Sequence, residues 1–248
     1  MQQHPEWQNI STDARDHTAE DGKIFLNPAH PEVRDFLRRL VAEMCRQYKL
    51  DGIQLDYIRY PLDEDGKKPF GYDPLTVRLM AEQTGINPWY VTRTQTNRWQ
   101  VFVQWKSKQV TETVRELVAT AKKHRPDIKV SAAVFPDYYE DPIRERKCQD
   151  WRTWTQGDLL DFVATMCSAG SDSLRHLQIK ESMALSRVPV LIGYLNNNLD
   201  RPAEIERYYH EAIKQGAAGV GWFVYNWRPP VFFQTLKQDV YTEPAKPF

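Results

Sequence analysis

Three cysteines are all that 248 residues contain, and Cys45, Cys148 and Cys167 form no CxxC pair. That spacing indicates neither a zinc site nor an even-numbered disulfide framework, and leaves the three as small buried hydrophobes. Charge of one sign is equally scarce. The 33 basic and 33 acidic side chains cancel, so the basic footprint of a nucleic-acid binder is missing. No apolar run approaches the ~18 residues of a membrane span, and the opening MQQHPEWQNISTDARDH has no apolar core of a signal peptide. As written, the chain is placed in the cytoplasm, with neither membrane nor nucleic acid as a partner; an upstream segment would open export to the periplasm. None of the 11 glycines builds a phosphate-binding fingerprint after a strand. His4 and His30 lack metal-ligand spacing and read as surface or capping residues. No metal or cofactor is expected, and no internal repeat or low-complexity segment interrupts the chain.

Aromatic side chains are plentiful, with 8 Trp and 12 Tyr. Several sit beside Pro, Asn or Asp in HPEW, NPWY, PDYY and YNWRPP. Flat apolar faces with polar edges suit a sugar, whose ring offers C–H groups on one face and hydroxyls round its rim. Taken singly, each Trp reads first as core.

The order of elements alternates. PEVRDFLRRLVAEMCRQY has apolar residues at three- and four-residue steps behind Pro31, which predicts an amphipathic helix. KLDGIQLDYIRYP reads as a strand, followed by the polar loop LDEDGKKPFGYDP. A helical region from about Asn97 to His124 leads to a strand over Ile128 to Phe135. DLLDFVATM, RVPVLIGYL and AAGVGWFVYN follow as strands, with helices near Leu174 to Ser186, Pro202 to Gln215 and Pro230 to Gln238. Five strands alternating with helices predict a parallel sheet wrapped by helices. Polar or aromatic residues at the C-terminal ends of the strands (Asp56, Asp137, Ser168, Tyr194 and Asn226) favour a (β/α)8 barrel over an open doubly wound sheet. At this length a single domain over residues 1–248 suffices.

The ordered strings LNPAHPEVRDFL, YKLDGIQLDYIRYP, FGYDP, VSAAVFP, QDWRTW and LDFVATM resemble the glycosyl hydrolase-like 10 family. The resemblance implies a TIM-type barrel and activity on carbohydrate. In the family pattern an RGVWLT-like strand and further βα units precede the HPEW-like stretch. The expectation is therefore a partial (β/α)8 barrel lacking its first two or three βα units, the C-terminal two thirds of the usual domain. Its two free sheet edges invite self-association.

Asp56 stands out because a strand that should be apolar carries it. Strand alternation puts Gln54, Asp56 and Ile58 on the inner face and Ile53, Leu55 and Tyr57 against the helices. The string Gly52-Ile53-Gln54-Leu55-Asp56 is similar to the fourth-strand motif of alpha-amylase-type barrels, which ends in the nucleophilic carboxylate. Gln54 stands where that motif has Arg, and Arg59 is the substitute within reach. The alternative is that Asp56 caps its loop or pairs with Arg59. Two-carboxylate hydrolysis needs a proton donor ~5 to 10 Å away. Asp137 is the best-placed candidate, with Glu140 and Asp141 as rivals; the same loop would also serve as a solvated capping segment. Tyr194, Asn196, Trp222, Tyr225 and Asn226 end the last two strands and are expected to line the sugar site. Asp150, Trp151 and Trp154 of CQDWRTW read at least as well as outer-layer packing. The expected function is glycoside hydrolysis on a poly- or oligosaccharide; the alternative is a non-catalytic carbohydrate-binding protein or an inactive truncated barrel. A barrel lyase or isomerase has neither phosphate-binding glycines nor metal ligands to support it.

Overall fold

The computed structural model describes residues 3–13, 18–19, 22–61, 68–136, 147–194, 201–223 and 229–243. Helix α1 (Pro31–Gln47) starts where His30 accepts a hydrogen bond from the Glu32 N–H and Pro31 supplies the first-turn φ. Strand β1 (Gly52–Leu55) follows directly. Helix α2 (Pro74–Thr84) is capped by the buried Asp73, which accepts from the Thr76 N–H, and stops at Gly85 in the left-handed region. Helix α3 (Thr96–His124) leads into β2 (Lys129–Val134). Then come α4 (Trp151–Gln156), β3 (Phe162–Cys167), α5 (Asp172–Leu185), β4 (Val190–Tyr194), α6 (Pro202–Lys214), β5 (Gly219–Trp222) and α7 (Pro230–Thr235), which runs on as a π turn. All five strands are parallel and ordered β1-β2-β3-β4-β5.

A closed barrel of this class has eight strands; five are present, and β1 and β5 are its free edges among the described residues. The protein is a partial (β/α)8 barrel. Strand alternation and register sort the side chains into two faces. Toward the helices lie the rows Leu55–Ala132–Val163–Val190, Val134–Thr165–Ile192–Val220 and Cys167–Tyr194–Trp222. The first four strands bury these residues completely or nearly so, and they form the main core with Trp151, Trp154, Ile179, Ile205 and Phe232. Facing inward are Gln54–Ser131–Phe162, Ala133–Ala164–Leu191–Gly219 and Met166–Gly193–Gly221. Here only Ser131 and Ala133 are buried; the rest are partly or fully exposed.

Helix α2, not among the elements expected from the sequence, belongs to an excursion between β1 and β2. With the start of α3 it forms a second apolar cluster of Tyr72, Met80, Val91, Trp99, Phe102, Val103 and Trp105. Two family strings pin this excursion. Asn27 of LNPAHPEV is buried and donates to Thr76 Oγ1, while its own oxygen accepts from the Ala29 N–H. Gly71 of FGYDP has φ +98, and a Cβ there would meet Lys106 Cδ at 3.0 Å. CQDWRTW is structural as well: Trp154 is fully buried and its indole N–H donates to Thr111 Oγ1.

At the opposite end of the sheet, Asp161 joins β2 to the loop before β3. It accepts from the Val130 N–H at 2.9 Å and pairs with Lys122 at 3.1 Å and Lys129 at 3.6 Å. Partial burial on its own would raise this carboxyl's pKa; the N–H and the two ammonium groups outweigh it and hold the pKa below the ordinary value. A depressed folded-state pKa gives stability that is present above the unfolded value of about 3.9 and lost as pH falls through the folded one. Asp161→Ala is expected to destabilise by about 1–3 kcal/mol at neutral pH, and the deficit should shrink in acid. Urea melts at pH 7 and below pH 4 check it; an equal deficit at both would contradict the assignment.

Candidate functional site

Parallel strands place their C-terminal ends on one rim, where barrel chemistry is housed. Asp56 lies there, just past Leu55, and is exposed. Its Oδ1 accepts the Tyr57 N–H at 2.7 Å, and Tyr57 adopts φ +53, an uncommon left-handed conformation for a non-glycine residue. The loop-capping role is thus real for one carboxylate oxygen. Asp56 Oδ2 accepts no hydrogen bond among the described residues.

The left-handed turn resets the alternation on which Ile58 was assigned inward; Ile58 instead packs against the main core. Tyr57 swings outward, 43% exposed, and its hydroxyl accepts from Lys23 Nζ at 2.7 Å. Gln54 does face inward, accepting from Ser131 Oγ at 3.4 Å. Arg59 forms no ion pair with Asp56. Its guanidinium lies 5.2 Å from the Phe25 ring centre, 5.1 Å from Tyr57 and 5.3 Å from Phe135, and donates to the Tyr60 carbonyl at 3.2 Å. Beside Asp56 a groove of about 430 Å³ follows the free edge of β1, lined by Phe25, Leu37, Leu40, Met44, Ile53 and Leu55 among others.

Gln149 is a site-building residue that sequence reasoning passed over. It is buried, accepts from the Phe135 N–H at 3.0 Å, and donates to the carbonyls of Ala133 at 3.2 Å and Ile58 at 3.4 Å. Lys147 O accepts from the Tyr60 N–H at 2.8 Å, and the Trp151 indole donates to the Phe135 carbonyl at 2.9 Å. Residues 147–151 therefore staple the end of β2 to the Asp56 turn, where the two strands have stopped pairing. Cys148, at φ +52, makes the bend that aims Gln149 inward. The signal was present as a polar residue before the Trp pair of QDWRTW. Gln149→Leu would strand the partly buried Phe135 N–H and the carbonyls of Ala133 and Ile58 and is expected to cost about 1–3 kcal/mol. Urea denaturation of the variant checks this, and wild-type stability would contradict the stapling role.

Two expected sugar-lining residues face the other way. Tyr194 is fully buried, its hydroxyl donates to the Tyr208 carbonyl at 2.9 Å, and burial drives its phenol far above the ordinary range. Trp222 packs at 5.3 Å on Tyr194 and 5.5 Å on Phe232 and donates to the Tyr241 hydroxyl. Both end their strands, but on the helix side. Asp137, Glu140, Asp141, Asn196, Tyr225 and Asn226 lie outside the described residues. Among the described residues no group of three or more His, Cys, Asp or Glu could hold a metal ion, and no helix is long and apolar enough to cross a membrane.

A family model described as glycosyl hydrolase-like 10 matches residues 1–211. Glycosyl hydrolase YngK of Bacillus subtilis (strain 168) is 21% identical over 273 residues, covering 98% of this chain and 49% of its own. Glycosyl hydrolase DigH of Escherichia coli (strain K12) is 23% identical over 174 residues, covering 65% of this chain and 34% of its own. The chain thus spans a third to a half of the length of these curated relatives. Among solved structures, a beta-galactosidase from the psychrophilic Marinomonas ef1 superposes with a TM-score of 0.59 at 14% identity, covering 90% of this chain and 41% of that one. An agarase gives 0.54 at 13% identity, covering 88% and 35%. These likenesses show the fold.

Proposed function

Because the chain belongs to the glycosyl hydrolase-like 10 family, we propose that its 248 residues form one barrel domain that acts on a poly- or oligosaccharide by a two-carboxylate mechanism. The observation that carries this reading is Asp56, an exposed carboxylate on the rim where barrel enzymes work, with one oxygen fixed by its own turn and the other accepting no hydrogen bond among the described residues. Asp56 acts as nucleophile, or as base toward water, at the anomeric carbon. Asp137 or Glu140, from the loop after β2, protonates the departing glycosidic oxygen. Gln54 and Arg59 stand beside Asp56 as substrate contacts, and Asn196, Tyr225 and Asn226 are carried as contacts from the later loops. The fixed turn matters because a displaced nucleophile forfeits the benefit of orientation.

The second reading is a non-catalytic carbohydrate-binding protein. It is favoured by one observation: Asp56 has no cation paired with it among the described residues, and Gln54, not Arg, precedes it on the inner face. Reducing-end release from a panel of bacterial cell-wall and storage glycans separates the two. Release marks the enzyme; binding without release marks the second reading; neither defeats both.

A further inference from the structure

Helix α3 is antiparallel to β2, so its first residues lie at the same end of the molecule as the C-terminal ends of the strands. Its 29 residues measure about 43 Å at 1.5 Å per residue, whereas the six of β2 span about 20 Å. The excess carries the second apolar cluster past the sheet on the rim side. On this projection sits the short helical turn Pro88–Tyr90, which holds two adjacent exposed aromatic side chains: Trp89 is 52% exposed and Tyr90 75%.

The turn beneath these rings is rigid. Asn87 Oδ1 accepts the Trp89 N–H at 3.0 Å, the Tyr90 N–H donates to the Asn87 carbonyl and the Val91 N–H to the Pro88 carbonyl, both at 3.1 Å. Pro88 and Val91, on either side of the pair, are buried. Trp89 also packs on Tyr72 at 4.9 Å. Leaving such rings in water forgoes their burial energy, while fixing them in advance removes the ordering cost of a later contact. The chain then runs into an exposed polar border: Thr92 Oγ1 and Thr94 Oγ1 are 2.7 Å apart, and the Gln95 side chain accepts the Thr92 N–H. From Ile86 to Arg98 there is no carboxylate, so this segment supplies no acid or base of its own for hydrolysis.

We propose that Trp89 and Tyr90 form an accessory glycan-binding platform, distinct from Asp56, that takes a chain of β-linked pyranose units. Equatorial hydroxyls leave flat C–H faces for the two rings, and the rim hydroxyls meet the border of Thr92, Thr94 and Gln95. The platform stands whether or not Asp56 is catalytic. Its test is calorimetric titration of the full chain with cellohexaose, chitohexaose and xylohexaose, on wild type, Tyr90→Ala, Trp89→Ala and Asp56→Asn. At least one hexaose should bind; Tyr90→Ala and Trp89→Ala should each weaken it by about five- to tenfold, and Asp56→Asn should leave it unchanged. Tyr90 has no described ring partner, so its variant should melt as wild type and keeps the test clean if Trp89→Ala loosens Tyr72. Failure of all three sugars to bind, wild-type binding by Tyr90→Ala, or loss of binding in Asp56→Asn alone would overturn the platform. Hydrolysis measured on the same proteins reports on Asp56 separately.

Discussion

Asp56→Asn is expected to lower glycan hydrolysis by about 10⁴-fold or more, the scale of loss when a nucleophile is removed, while leaving the melting temperature and sugar binding near wild type. The swap keeps the shape of the side chain and removes its charge. The amide oxygen still accepts the Tyr57 N–H that fixes the turn. No described cation loses a partner, and the exposed position carries no burial term. Structure and chemistry therefore separate at this residue. A variant that loses stability but keeps its activity would show that Asp56 serves only to cap the turn.

Residues 1–248 expressed alone are expected to self-associate through the free sheet edges. Among the described residues β1 has no strand partner on its outer edge, which borders an apolar groove where Ile24 is 43% and Leu40 44% exposed. At the other edge Gly221 is exposed, and a Cβ built on it would meet nothing within 4 Å. Parallel sheets normally have both faces covered, and uncovered edges pair with other chains. Light scattering at several concentrations should find oligomers or aggregates. Ile24→Lys with Leu40→Lys should shift the distribution toward monomer, because buried ammonium groups in the groove would be costly. A wild-type monomer with a cooperative melt at every concentration would contradict this account of the edges.

The element order was legible because each strand is a short apolar run closed by Pro, Gly or a polar residue, and because α1 shows a clean three- and four-residue step. Which face each strand turns inward was not. RVPVLIGYL and LDFVATM are apolar at nearly every position, as strands covered on both sides must be, so they carry no alternation to count. Tyr194 and Trp222 were assigned to the sugar site because they end strands; register places them toward α6 and α7. At β1 the alternation was readable through Gln54 and failed one residue past Asp56, where Tyr57 turns left-handed without a glycine to announce it. Helix α2 has its signals in Asp73-Pro74 and Gly85, but they continue directly from a polar loop and do not stand out from it. Gln149 was hidden for another reason: a buried amide that replaces backbone pairing resembles any other polar residue until the strands it joins are seen.

The most direct measurement is a crystal structure of this chain with a bound oligosaccharide, read for the separation between the Asp56 carboxyl and its nearest acidic partner across the glycosidic bond. The account predicts that Asp137 or Glu140, or their neighbour Asp141, lies within about 5 to 10 Å of Asp56, the shorter end for retention of configuration and the longer for inversion. A sugar bound elsewhere on the rim, or every other carboxyl group well beyond that range, would contradict it.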